Sequence, residues 1–243
     1  MASALLVKNR EGMSIKFRSD MTVELKQAMA SDEAILMAAR VSTGAGSSTP
    51  EKDAGLINYL MRDRHGSPFE HNSFTFYIEA PIFVFREFMR HRIASYNEES
   101  GRYKELKPVF YVPDLDRDLI QIGKPGAYTF QEGTHHQYAT VMAGVQGTCA
   151  QAWADYQAML KAEVAREVAR IVLPLNTYSS MYVTMNARSL MNFLSLRTKR
   201  EGTHFPSFPQ REIEMVAEKM EAFFEAEMPL TYAAFNKNGR VAP

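Results

Sequence analysis

The residues able to do chemistry concentrate in one stretch. From Arg90 the chain reads Arg-His-Arg-Ile-Ala-Ser-Tyr-Asn-Glu-Glu-Ser-Gly-Arg-Tyr, fourteen residues with three arginines, a histidine, two serines, an asparagine and a glycine, ending at Tyr103. Guanidinium groups are costly to bury unless something negative meets them, and their planar forks match phosphate oxygens. Gly101 allows a ligand to approach the backbone closely, and the serines and asparagine donate hydrogen bonds. The stretch therefore reads as an anion site with phosphate or a nucleotide as guest. Its residues leave a second reading open, in which the arginines are solvated or paired with Glu87, Glu98 and Glu99.

Three further groups stand out. A polar turn carries His65 and Ser67. Arg166, Glu167 and Arg170 lie along the polar side of an apolar run, and Arg188, Asn192 and Ser195 form a stripe on a predicted helix that ends at Arg197. The adjacent His135 and His136 would point about 100° apart on a helix and cannot chelate as an i,i+4 pair, so they are assigned to the surface. Cys149 is the single cysteine. It excludes an intramolecular disulfide and any multi-cysteine zinc site, and no metal is expected.

These groups need elements to hold them. An apolar run from Pro81 to Met89 predicts a helix entered at Pro81, with Arg86 and Arg90 on one face at i,i+4 spacing. Before it, Phe74, Phe76 and Ile78 alternate with Thr75, Tyr77 and Glu79, the period of a half-buried strand. Ser14 to Arg18 and Tyr178 to Met185 read as strands. Helices are expected over 34–41 behind Ser31-Asp32-Glu33, over 51–62, 150–173 and 186–197, and over 211–235 with a break at Pro229. The Gly/Ser segment after Ala39-Arg40-Val41-Ser42 reads as a loop. Residues 1–12 and 236–243 read as loosely ordered ends of a single domain spanning 1–243, with an α/β (α+β) fold.

Composition narrows the function. At 243 residues, 46% hydrophobic and 23% charged, the chain is an ordinary globular protein. Its 28 basic residues balance 28 acidic ones, so anion binding must be local and no nucleic-acid partner is expected. No apolar stretch reaches transmembrane length, so no membrane partner is expected, and Met1 to Lys8 is too short and weakly charged for a secretory signal. A cytoplasmic setting is expected.

The string Arg-His-Arg-x-x-Ser-x-Asn-x-x-Ser-x-Arg-Tyr closely resembles the signature of the flavin-dependent thymidylate synthases. The Ala-Arg-Val-Ser stretch at 39–42, His-Gly-x-Pro-Phe-Glu-His at 65–71, Arg-Glu-Val-Ala-Arg-Ile-Val-Leu-Pro at 166–174 and Asn-x-Arg-Ser-Leu-x-Asn-Phe-Leu-x-Leu-Arg at 186–197 resemble its other segments, in the same order. The resemblance implies a largely antiparallel central sheet flanked by helices, and a homotetramer with sites shared between chains. It implies reductive methylation of dUMP to dTMP, with methylenetetrahydrofolate giving the carbon and FAD, reduced by NADPH, giving the hydride.

By the same resemblance, dUMP meets Glu87, Phe88, Met89, Arg90, Glu98, Glu99, Ser100, Gly101, Arg102, Arg170 and Arg197. The flavin meets Ser67, Arg90, His91, Arg92, Glu98, Asn186, Ala187, Arg188 and Asn192, and His65 faces the folate or nicotinamide. Arg197 is the expected catalyst, since a permanent charge beside the pyrimidine stabilises negative charge developing at N3 and the carbonyl oxygens. Three departures from the family pattern stand out. Glu87 replaces a glutamine found in some members, Phe208 stands where some place a histidine, with His204 nearby, and the segment 198–209 is longer than usual. Two other classes fit the residues less well: a single-stranded nucleic-acid binder stacking bases on Tyr96 and Tyr103, and a catalytically silent relative that keeps the fold for assembly.

Overall fold

The computed structural model describes residues 5–8, 12, 14–42, 44 and 48–243. In chain order the elements are β1 (Leu5–Lys8), β2 (Ser14–Arg18), β3 (Thr22–Met29), α1 (Asp32–Arg40), α2 (Pro50–Arg62), β4 (Ser73–Pro81), α3 (Ile82–Phe88), β5 (Ser95–Glu98), β6 (Val109–Tyr111), β7 (Ile120–Lys124), β8 (Ala127–Gln131), α4 (His135–Lys161), α5 (Arg166–Ala169), β9 (Tyr178–Met185), α6 (Ala187–Arg197), α7 (Arg211–Glu227) and α8 (Pro229–Lys237). Short 3-10 turns occupy Ser67–Glu70 and Arg170–Val172. The class is α+β, as expected. Its sheets follow the orders β1-β2-β6, β3-β4-β9-β5 and β7-β8. No helix among the described residues is long and apolar enough to cross a membrane.

The chain forms two compact units. The first takes residues up to Asp20 with Glu79–Arg86 and Glu98–Ser180, and the second takes Met21–Ile78, Glu87–Asn97 and Met181–Pro243. In the first, β2 pairs antiparallel with β1 and parallel with β6, which brings Phe17 opposite Phe110. Both rings are buried with Ile15, Trp153 and Tyr156, so α4 is fastened to this sheet by aromatic packing. In the second unit, β4 alternates buried and half-buried residues as its period demands, and Phe74, Phe76 and Ile78 are fully buried. Phe224 of α7 meets Phe74 edge-on at 6.1 Å and Phe235 of α8 at 6.5 Å.

Caps place the helices of the second unit. The Ser31 hydroxyl accepts from the Ala34 N–H at 3.1 Å to start α1. The Asp32 carboxylate accepts from the Leu230 and Thr231 N–H groups at 2.8 and 2.9 Å, satisfying the first donors of α8 after Pro229. The Asn186 side chain accepts from the Ser189 N–H at 2.9 Å to start α6.

Several expectations are corrected. The helix expected from Pro81 starts at Ile82, with Pro81 closing β4, and ends at Phe88, because Arg90 and His91 turn back to the Glu87 and Phe88 carbonyls at 3.2 and 2.9 Å, so Arg86 and Arg90 do not share a helical face. The helix expected over 150–173 stops at Lys161. Glu163 takes φ 60°, a left-handed conformation that ends a helix, and α5 begins anew at Arg166. Of the stretch expected to be loose at the start, Leu5–Lys8 is a paired strand, while residues 1–4 and 9–11 lie outside the described residues. The end expected to be loose carries a buried arginine. Arg240 is 4% exposed, 2.6 Å from the Glu221 carboxylate, and donates to the Thr198 hydroxyl at 2.9 Å. A charge buried that deeply must be paired.

Candidate active site

The second unit builds one cluster around Arg197, the last residue of α6. Its Nη1 donates to a Glu87 carboxylate oxygen at 2.7 Å and its Nε to His91 Nε2 at 3.1 Å. Because Nε2 accepts, the His91 proton is assigned to Nδ1. Electrostatics agree: burial and then the neighbouring guanidinium push the imidazole down to about 4, so it stays neutral at physiological pH. Burial also raises the Glu87 pKa, and this outweighs the opposing pull of Arg197.

Aromatic packing sets this geometry. Phe88 is fully buried and stacks on Phe193 at 4.6 Å, with the His91 ring edge-on to Phe193 at 4.9 Å. The Tyr96 phenol lies 2.9 and 2.7 Å from the Phe88 and His91 carbonyls, which fixes the turn between them. Phe88, expected at dUMP, thus leaves only its backbone for a ligand. Met89, Arg90 and Arg92 are exposed around the same turn. Phe193 and Tyr96 were not among the expected site residues, although both lie inside the motifs that carry the resemblance.

The same unit holds a second group at the start of α6. Arg188 Nη1 meets the Glu70 carboxylate at 2.6 Å, and its Nε donates to the Pro243 carbonyl. A Cβ on Gly66 would fall 2.7 Å from the Arg188 Cζ and Nε, so the missing side chain is what lets the guanidinium lie there. Asn192 donates to the Arg188 carbonyl at 3.1 Å. Ala187 is buried and its N–H already donates to Asn72 at 2.6 Å. Ser67 and His65 are exposed, with His65 stacked on Tyr59 at 5.5 Å. Neither Glu70 nor Gly66 was expected at the site. Both stand in the His-Gly-x-Pro-Phe-Glu-His string, which was the available signal. Arg40 pairs with Asp53, and the loop that follows lies partly on residues 43 and 45–47, outside the described residues.

The first unit gathers Glu98 to Arg102 with Arg170. Glu98 is half-buried, and burial raises its pKa against the bond to Ser179 and the pull of Arg170. Glu99 accepts from the Ser180 hydroxyl at 3.0 Å and pairs with Lys104 at 3.1 Å. The Ser100 hydroxyl accepts from the Arg102 N–H at 3.3 Å. Gly101 is buried, and what approaches its backbone is the protein itself: an added Cβ would lie 3.2 Å from both the Arg170 Cδ and a Leu106 methyl. Arg102 pairs with Glu167 at 2.7 Å, both more than half exposed, and Arg170 is exposed. Cys149 is 1% exposed beside Asn176, and burial pushes its thiol up, which disfavours the thiolate a nucleophile requires.

Among the described residues the chain thus offers two groups with guanidinium forks suited to phosphates, one around Arg188 and one around Arg102 and Arg170, and a further guanidinium held between a carboxylate and a neutral imidazole. Comparison with known proteins gives these groups a context. The family described as thymidylate synthase complementing protein matches residues 24–230. The flavin-dependent thymidylate synthase of Streptomyces coelicolor is 63% identical over 94% of this chain and 96% of its own length. That of Tropheryma whipplei is 57% identical over 93% of this chain and 97% of its own. A crystal structure of a UMP/dUMP methylase, PolB from Streptomyces cacaoi, bound with 5-Br UMP, aligns with a TM-score of 0.89 and 53% identity, covering 94% of this chain and all of that one.

Proposed function

Because the chain belongs to the flavin-dependent thymidylate synthase family, we propose that it carries out the reductive methylation of dUMP to dTMP in the cytoplasm, with methylenetetrahydrofolate as carbon donor and FAD reduced by NADPH. The observation that carries this reading is Arg197, held at 2.7 Å by Glu87 and at 3.1 Å by a neutral His91. Methylation at C5 of uracil without a thiolate needs negative charge stabilised at N3 and the carbonyl oxygens. A preorganised guanidinium does that with little reorganisation. Glu87, which departs from the glutamine of some relatives, pairs with Arg197, so its charge is compensated when a phosphate comes near.

The residues at the start of α6 fit an anionic dinucleotide. Arg188 presents a fork beside the bare Gly66, and its Glu70 contact is an exposed pair that a phosphate oxygen can replace. Asn186, Arg188, Asn192 and Ser67 would hold FAD, with Arg90, His91 and Arg92 beside it and His65 toward the folate. When bound and reduced, the flavin supplies the hydride. Ser100, Gly101, Arg102 and Arg170 would hold the dUMP phosphate, with Glu98 and Glu99 beside the nucleotide. The homotetramer lets Arg197 of one chain and Arg102 of another serve one site.

The test is direct: the purified protein should be yellow and should form dTMP from dUMP, methylenetetrahydrofolate and NADPH. A colourless protein that does not take up added FAD rejects the proposal. UMP is the second substrate to assay, since the PolB relative is described bound with both 5-Br UMP and 5-Br dUMP.

A further inference from the structure

The segment 198–210, which joins α6 to α7, folds back on the end of α8. The His204 N–H donates to the Gly239 carbonyl at 2.9 Å, and the His204 Cβ lies 2.9 Å from where a side chain on Gly239 would begin. Gly239 also sits at φ 70°, so glycine meets both demands of this contact. Folding back in this way walls a cavity of about 300 Å³, lined by Arg62, Arg64, His204, Phe205 and Asn238 among others.

The wall is one-sided in charge, because two of its side chains are arginines and none is a carboxylate. Arg62 is already forked onto Asp63 at 2.7 and 2.9 Å. Arg64 donates to the Ala242 carbonyl at 2.9 Å, a neutral partner, and no carboxylate among the described residues pairs with it. The Phe205 ring is 67% exposed, with His204 edge-on to it at 4.6 Å. Asn238 uses its amide hydrogens on Asn58 and the Ala234 carbonyl at 3.0 and 2.8 Å, so its Oδ1 is the group left to accept. A flat ring carrying an N–H and a carboxylate suits such a wall: the ring stacks on Phe205, the carboxylate meets Arg64 and the N–H meets Asn238.

Size and position select among such ligands. About 300 Å³ is the small end of ligand pockets, room for one ring with a short acidic arm but not for a dinucleotide. Arg64 precedes His65, the residue assigned to the folate side, and the Arg62 guanidinium lies 5.5 Å over the Tyr59 ring on which His65 stacks. We infer that this cavity binds the aminobenzoyl-glutamate arm of the folate co-substrate, an inference that rests on the folate-dependent reading above.

The experiment is a calorimetric titration of the flavin-loaded enzyme with p-aminobenzoyl-glutamate, repeated with Arg64→Asn and Phe205→Ala. Asparagine is chosen because Arg64 sits at φ 65°, which asparagine tolerates. Wild type should bind the probe, and Arg64→Asn should weaken it about tenfold or more, the cost of losing a charge-assisted hydrogen bond. The KM for methylenetetrahydrofolate should rise by a similar factor, with the KM for dUMP and the flavin content unchanged. Phe205→Ala, at an exposed position, should weaken the probe several-fold and carries the test if the asparagine variant misfolds. No probe binding by an enzyme that forms dTMP overturns the cavity and leaves the reaction standing. Probe binding without dTMP formation keeps the cavity and overturns the reaction. Binding that neither variant changes places the arm elsewhere and also overturns the inference.

Discussion

Arg197 and the pair Arg102 and Arg170 all belong to the nucleotide in the reading above, yet their surroundings differ. Arg197 is half-buried and bonded to Glu87 and His91, while Arg102 is more than half exposed with one equally exposed partner, Glu167, and Arg170 is exposed. A desolvated, bonded guanidinium is oriented by the protein itself. An exposed one keeps its rotamer freedom and gains order only from what it binds. The first environment suits a group that must meet developing charge without rearranging, and the second suits capture of a phosphate.

The largest effect follows from that contrast. Arg197→Ala should lower kcat by about two to three powers of ten without unfolding the protein, whereas Arg102→Ala should act mainly through the KM for dUMP. Cys149→Ser, in a buried position without an activating partner, should keep most turnover. Steady-state kinetics with circular dichroism on each variant check this; an active Arg197→Ala variant would remove the distinction between the clusters. At dUMP concentrations well below the raised KM of the Arg102→Ala variant, where neither parent turns over, shared sites predict that Arg102→Ala and Arg197→Ala chains unfolded and reassembled together recover about a quarter of wild-type sites. Hetero-oligomers no more active than their parents would place both arginines in one chain's site.

A smaller effect tests how the second unit positions Arg188. Gly66 lies at φ −75°, ψ −33°, where alanine is comfortable, so Gly66→Ala has no backbone cost. Its Cβ would nevertheless fall 2.7 Å from the Arg188 guanidinium, the movable end of a long side chain. The expected result is an unchanged melting temperature and about tenfold weaker FAD binding, measured by flavin fluorescence, since the displaced fork loses a charge-assisted contact. Full FAD affinity in this variant would show that Arg188 is not held against Gly66 when flavin binds.

Local physics made much of this legible from sequence. The α6 helix and its end at Arg197 follow from apolar spacing confined to a dozen neighbouring residues. The alternation that buries Phe74, Phe76 and Ile78 in β4 is equally local. What was not legible depends on distant partners. Glu70 and Arg188 are 118 positions apart, and no spacing rule pairs them. Glu87 stands out in the sequence only as a departure from the family pattern, because its counter-charge, Arg197, lies 110 positions on. Arg90 was misplaced on a helix because the apolar run continues to Met89, whereas i,i+3 turn bonds after Glu87 end the helix sooner. Arg240 looked like part of a loose tail because its partners, Glu221 and Thr198, come from two other segments.

The smallest predicted effect concerns His91 and pH. Its pKa is about 4 in the folded chain against 6.5 for an ordinary histidine. As pH falls below about 6.5 the unfolded chain takes up a proton that the folded chain refuses until about pH 4. Stability from this group is therefore fully present above pH 6.5 and is lost progressively toward pH 4, the direction expected when burial favours a neutral base. Solvent screening of a partly buried site keeps the effect small, a fall in melting temperature of roughly 2–4 °C across that window. His91→Asn should flatten that part of the pH profile, and the His91 imidazole followed by NMR should titrate near 4. Protonation would also place a second cation at the acceptor of the Arg197 Nε–H, so the two readings should move together. A His91 that titrates near 6.5 would mean that its bond to Arg197 does not persist in solution, leaving Glu87 alone to orient the guanidinium and narrowing the difference between the two clusters.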